Sequence, residues 1–203
     1  MLTEPFLRTF IAVPMPDSVI AELAGSLAEL RREAFHGVRW VSPSALHLTV
    51  KFLGETPRDN LPVICDLLNR VGRANPSYSL QIEGFGAFPN TRRPRVLWTG
   101  FHPPPPPHFS LVEAIESAMK SIGFNRESRP HSAHITVARI PGHWTDPWPS
   151  RDIFVNLFDN IPPFIVNKIV LIESTLSSQG AKYSRLHEAA VGGGKDSGGI
   201  TDG

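Results

Sequence analysis

A four-residue pattern, His-x-Thr-x with apolar residues at both variable positions, occurs twice in this chain, as His47-Leu48-Thr49-Val50 and His134-Ile135-Thr136-Val137. Both copies sit in apolar-rich runs that read as strands, over 46–53 and 133–140. Side chains of a strand alternate between faces, so His47 and Thr49 point one way and Leu48 and Val50 the other, and likewise for His134 and Thr136. With eight histidines, ten threonines and 41% apolar residues, chance would supply the pattern about 0.07 times and a pair of copies on the order of 0.002 times. A repeat that served the core alone would keep apolar residues at these points rather than a histidine in each. The pattern therefore predicts two similar halves, with apolar members packed beneath and two imidazoles and two hydroxyls converging above.

The rest of the chain supports that division. Leu7 to Val13 reads as a strand closed by Pro14 and Pro16, and Asp17 or Ser18 can cap a helix over 19–32 whose Ile20, Leu23, Ala24, Leu27 and Leu30 form one apolar stripe. Strands are predicted at 38–41, 78–85, 95–101, 164–173 and 183–190, and helices at 58–73 and 109–122. The five prolines Pro103 to Pro107 read as a stiff connector, with a ligand for a proline-recognising module as the rarer alternative. Several strand pairs are too close in sequence for crossover helices, so the class is α+β with mainly antiparallel sheets rather than a doubly wound parallel sheet. One domain over 1–191 is expected, followed by a Gly-rich disordered tail over 192–203.

Composition removes several functions. Twenty Lys and Arg against nineteen Asp and Glu give a net charge of +1, which is no broad field for holding long nucleic acid or a membrane surface. A polyanion would have to be gripped locally. The single cysteine, Cys65, precludes an intramolecular disulfide framework and a thiolate zinc site. It falls inside a predicted helix among Val63, Ile64, Leu67, Leu68 and Val71 and reads as a packing residue. A reducing, cytoplasmic setting is expected, with no membrane partner because no window approaches a membrane span. The N-terminus lacks the basic and apolar regions of a secretory signal.

Two imidazoles with ordinary pKa near 6.5 can hold opposite protonation states at neutral pH, one taking a proton and one giving it. Threonine hydroxyls can bind the non-bridging oxygens of a phosphate held between the rings, and in-line attack at phosphorus needs groups on opposed sides. A phosphodiester is the substrate this set suits.

These residues resemble the 2H phosphoesterases, and among them the RNA 2′,3′-cyclic phosphodiesterases, also called 2′-5′ RNA ligases. Similar stretches include 8–14 (Arg8-Thr9-Phe10-Ile11-Ala12-Val13-Pro14), 38–41, Lys51-Phe52-Leu53-Gly54-Glu55, 84–89, 94–98, Ala138-Arg139, and Leu176 with Tyr183. The resemblance implies a two-lobed, pseudo-symmetric fold with helices outside and the motifs facing a central cleft. It implies opening of a 2′,3′-cyclic phosphate on RNA or a nucleotide to a 2′-phosphate. His47 would be the proton donor to the leaving 3′ oxygen, His134 the base toward water, and Thr49 and Thr136 the phosphate ligands. No metal or other cofactor is implied, and the protein is expected to act as a monomer. The same site run backward would ligate RNA ends. A non-catalytic module binding RNA ends would have no need of both imidazoles.

Further contacts follow from position. Lys51 falls on the His47 face by alternation and is a candidate phosphate ligand. Arg139, which the resemblance makes a phosphate ligand, falls on the face opposite His134 unless its strand bulges. Arg92, Arg93 and Arg95 could guide an RNA strand, and Trp40, Phe10 and Tyr183 could stack a base, although core packing is the ordinary work of such aromatics. Before the second motif the sequence departs from the family's usual Phe and Pro, having His131 and Ala133 instead. His131 and His134 could be read as a metal pair, but a strand does not bring that spacing to one face. The other histidines, His36, His102, His108, His143 and His187, fall in predicted loops or at termini and read as solvated.

Overall fold

The computed structural model of the chain describes residues 5–177 and 180–192. In chain order the elements are β1 (Phe6–Pro14), α1 (Asp17–Glu33), β2 (Arg39–Trp40), β3 (His47–Pro57), α2 (Leu61–Ala74), β4 (Tyr78–Leu80), β5 (Ile82–Phe88), β6 (Val96–Phe101), α3 (Pro106–Lys120), β7 (Ile135–Arg139), β8 (Phe164–Val166), β9 (Lys168–Ser177) and β10 (Gly180–Ala190). Eight strands form one sheet in the order β10-β9-β1-β3-β7-β6-β5, with β2 also paired to β7. Every pairing in it is antiparallel. The α+β antiparallel class is as predicted, but the two halves share one continuous sheet.

The seam between the halves is narrow. β3 and β7 meet only through Leu48 opposite Ile135, the second residues of the two motifs. An antiparallel pair has a local twofold, so this contact sets the motifs head to tail about a shared axis. Further along β7 the neighbour is β2, whose Arg39 and Trp40 pair with Arg139 and Ala138.

Alternation along β1 separates two apolar clusters. Ile11 and Val13 join the main core with Leu48, Val50, Ile135 and Val137, while Phe10 and Ala12 face the other way with Val170, Ile172 and Tyr183. The main core includes Val19, Leu23, Leu27 and Leu30 of α1, and Ile64 and Leu68 of α2. From α3 come Leu111, Ile115 and Met119. Burying three amphipathic stripes on one side of the sheet leaves its other side free for a site.

Where the predicted elements shift, backbone chemistry explains the shift. The run 78–85 is divided at Gln81, whose Nε2 donates to the carbonyl of Ile161 at 2.8 Å. Its first part, β4, pairs with β8 as a separate two-stranded ribbon. The predicted strand 164–173 is likewise divided at Asn167 between β8 and β9. Helix α3 begins at Pro106, not at 109, because proline fits the first turn, where its missing N–H is no loss. The proline block is thus half connector and half helix start. Helix α1 begins at Asp17 after Pro16, with no side-chain cap from Asp17 or Ser18. Of the predicted tail, only Gly192 is among the described residues, and its N–H donates to the carbonyls of Asn75 at 2.9 Å and Gly72 at 3.2 Å.

Candidate active site

Both motif strands carry the same irregularity. Between β1 and β3 the register steps from Ala12 opposite Thr49 to Ile11 opposite Lys51, so Val50 is an extra residue. Between β6 and β7 it steps from Trp98 opposite Thr136 to Leu97 opposite Ala138, so Val137 is the extra one. Each bulge turns two consecutive residues into the core, Val50 with Lys51 and Val137 with Ala138. The next residue of each strand, Phe52 or Arg139, therefore returns to the open face, as their exposure shows.

This irregularity corrects the placement of Lys51. Strict alternation would aim it at the phosphate, but it is 4% exposed and does not reach the cleft. Its Nζ donates to Glu116 Oε2 at 2.7 Å and to the carbonyl of Asn125 at 2.8 Å. Glu116 Oε2 also accepts the Glu127 N–H at 3.3 Å. Lys51 thereby fastens the first motif strand to α3 and to the segment that leads into His134. Arg139 is moved the other way by the same device, onto the cleft.

His47, Thr49, His134, Thr136 and Arg139 line one cavity of about 510 Å³, together with Arg8, Phe10, Val41, Phe52 and Tyr183 among others. The two rings are held in matching ways. His47 Nδ1 lies 2.7 Å from the carbonyl of Ala45, and His134 Nδ1 lies 2.7 Å from the carbonyl of Ser132. A carbonyl can only accept, so each Nδ1 carries its hydrogen and each Nε2 is the nitrogen left for chemistry. A neutral ring then presents a lone pair at Nε2 and a charged ring presents a proton there. Either role is open to either ring.

The surroundings of the rings differ. His47 stacks on Phe10 with ring centroids 4.8 Å apart and meets the edge of Tyr183 at 5.3 Å. Burial pushes the His47 pKa below its ordinary 6.5; the Ala45 carbonyl opposes this and the charge of His134 adds to it. His134 meets the edge of Phe88 at 5.0 Å, and Phe88 stacks on Trp98 at 5.3 Å. Trp98 lies across Gly86, where a Cβ would come within 2.4 Å of its ring. A glycine in β5 thus sets the tryptophan that backs the aromatic beside His134.

One histidine read as solvated is internal, and His131 beside it is half-buried. His108 is fully buried, with Nδ1 2.9 Å from the Tyr78 hydroxyl and Nε2 3.1 Å from His131 Nε2. Burial, then the charge of His131, lowers its pKa to about 4. His131 is lowered by burial first and by His134 second, with Glu116 opposing. The helical stripe held the signal for these groups, since His108 and Glu116 share the α3 face of Leu111, Val112, Ile115 and Met119. His187 bonds Asn69 Oδ1 at 2.9 Å, whereas His36, His102 and His143 are exposed. Among the described residues no three His, Cys, Asp or Glu side chains converge on a metal position. Cys65 is half-buried, with burial raising its thiol pKa.

Of the proposed RNA contacts, Phe10 and Tyr183 line the cavity, while Trp40 packs on the core. Arg92, Arg93 and Arg95 are exposed on the β5–β6 connection and its edge, away from the cavity lining. Arg8, Phe52 and Ser174 are among the cleft residues to which sequence reasoning gave no role.

One sheet, two bulged His-x-Thr strands inverted about a shared pair, and a common cleft define a phosphoesterase of the two-histidine class. Residues 13–98 match the family model described as LigT like phosphoesterase. An RNA 2′,3′-cyclic phosphodiesterase of Thermotoga maritima is 31% identical over 192 residues, covering 93% of this chain and 97% of that one. The Thermus thermophilus protein of the same name is 30% identical over 201 residues, covering 92% and 91%. The crystal structure of a Thermus thermophilus protein superposes with a TM-score of 0.76 at 27% identity, covering 93% of this chain and all of that one. The chain belongs to the RNA 2′,3′-cyclic phosphodiesterase family of LigT-like phosphoesterases.

Proposed function

We propose that this protein opens 2′,3′-cyclic phosphates on RNA ends or nucleotides to 2′-phosphates, by acid/base catalysis between His47 and His134. The observation that carries the proposal is the matched anchoring of the two rings: each Nδ1 is engaged by a carbonyl two residues upstream, and both rings line one cavity. His134 Nε2 takes a proton from water as its oxygen bonds to phosphorus. The bond from phosphorus to the 3′ oxygen breaks, and His47 Nε2–H delivers a proton to that oxygen. A ring whose cation is disfavoured by burial is a readier proton donor once charged, and a bound phosphate anion beside it favours that charge. The Thr49 and Thr136 hydroxyls donate to the non-bridging oxygens, where charge grows as phosphorus becomes five-coordinate, and Arg139 adds a positive charge from the second strand. The names and similarity of the relatives support the substrate class. A monomeric, cytoplasmic protein accompanies this reading, the lone thiol suiting a reducing compartment.

The test is conversion of 2′,3′-cyclic AMP by purified protein in EDTA, followed by phosphorus NMR. The expected product is the 2′-phosphate, with His47→Ala and His134→Ala each slower by about 100-fold to 10,000-fold. Undiminished turnover in either variant would refute the pair, and a 3′-phosphate product would reverse the assigned orientation.

A further inference from the structure

Arg8 lines the same cavity as the histidines, yet the two-histidine reaction has no use for it. It is exposed on β1 two residues before Phe10. Side chains two apart on a strand share a face and stand about 6.7 Å apart along it. Phe10 is stacked on His47, so Arg8 lies roughly one nucleotide step from the reacting phosphorus, on the His47 side. Among the described residues it has no ion-pair partner, although Glu55 is its cross-strand neighbour on β3.

The strands beyond β1 add hydroxyls beside the guanidinium. Thr9 pairs with Glu173 of β9, so Ser174 stands one residue past the end of that ladder, next to Arg8. Ser174 in turn pairs with Tyr183 of β10. Arg8, Ser174 and Tyr183 therefore form one row across three strands, each about 4.8 Å from the next, and all three line the cavity. A planar cation with two hydroxyl groups beside it is a set of donors for phosphate oxygens.

Resting on the proposed reaction, we propose that Arg8, with Ser174 and Tyr183, binds the 5′-phosphate of the terminal nucleotide, so that the enzyme distinguishes a phosphorylated chain end from a bare cyclic mononucleotide. The phosphate on the 5′ side is the next charge along the strand from the cyclic one. An extra contact there favours RNA ends over free 2′,3′-cyclic nucleosides. Arg139 serves the reacting phosphate from the opposite strand, and the loop arginines Arg92 and Arg93 lie outside the cavity lining.

The experiment compares kcat/KM on adenosine 2′,3′-cyclic phosphate with that on its 5′-phosphorylated counterpart, for the wild type, Arg8→Gln and Arg92→Gln. The wild type is expected to prefer the 5′-phosphorylated substrate about tenfold, and Arg8→Gln to lose that preference. Arg92→Gln, which removes an equal charge elsewhere, should keep both rates and their ratio. A wild type without preference, or an Arg8→Gln variant that keeps the ratio, overturns the subsite. If neither substrate is opened, the proposed reaction fails and calorimetry judges the subsite by itself. Adenosine 2′,5′-bisphosphate should then bind about tenfold tighter than adenosine 2′-phosphate to the wild type and equally to Arg8→Gln. Equal binding by the wild type rejects the subsite.

Discussion

Replacing Lys51 with methionine separates the two uses that this lysine could have. In the structure its ammonium is buried and bonded to Glu116 and to the Asn125 carbonyl. Lys51→Met leaves the Glu116 carboxylate buried with only the Glu127 N–H at 3.3 Å, and leaves the Asn125 carbonyl without this donor. Removing one partner of a buried ion pair costs about 3–5 kcal/mol, because the remaining charge has lost its compensation. For a chain of this size that lowers the melting temperature by roughly 10 °C. Exchanging both partners, Lys51→Met with Glu116→Leu, removes the stranded charge and should recover most of the loss. Urea unfolding of the wild type, the single variants and the double variant measures the coupling. A Lys51→Met loss below about 1 kcal/mol, or a double variant no more stable than the sum of the singles, refutes the buried-pair account. Unchanged stability with a large fall in kcat/KM would instead return Lys51 to the phosphate.

Three further outcomes follow from the packing. His108 is native as the neutral ring, with a folded pKa of about 4 against an ordinary 6.5, so its contribution is intact above pH 6.5 and lost as pH falls toward 4. That loss amounts to roughly 3 kcal/mol, and urea unfolding of His108→Phe across this range should show a correspondingly shallower acid decline than the wild type. Tyr183→Ser uncovers one side of His47 and should raise its pKa. One limb of the kcat/KM profile then moves to higher pH, and an unmoved profile would refute the shielding of His47 by Tyr183. Gly72→Ala would bring a Cβ within 2.1 Å of the Ala190 carbonyl oxygen. Because that contact is between backbones of α2 and β10, thermal unfolding should show a loss of more than about 2 kcal/mol, and an unchanged melting temperature would contradict the packing.

The repeated tetrapeptide is enough to place two histidines and two threonines on one face, since period-two alternation around Leu48 and Ile135 fixes which members face together, and all four line one cavity. Alternation fails at Lys51, and cannot by itself assign Arg139, for a single reason: each strand takes in one extra residue after its threonine. The sequence at Val50 and Val137 looks like uninterrupted strand, because a bulge is a property of pairing with a neighbour. Here the neighbours are β1 and β6.

His108 escapes local reasoning for a related cause. It stands just after a proline block that reads as a surface connector, and only the packing of α3 against β4 and the approach to His134 puts it inside.

Local composition and periodicity thus determined the α+β class, the helical stripes and the two histidines with their threonines, because those depend on which residues can share a face. The tertiary structure decided which cation lines the cavity and which is buried against Glu116, how the carbonyls of Ala45 and Ser132 fix the ring nitrogens, and that Arg8 and Phe52 border the cleft. Those outcomes depend on strand register and on groups distant in sequence, and neither is encoded in any single stretch of chain.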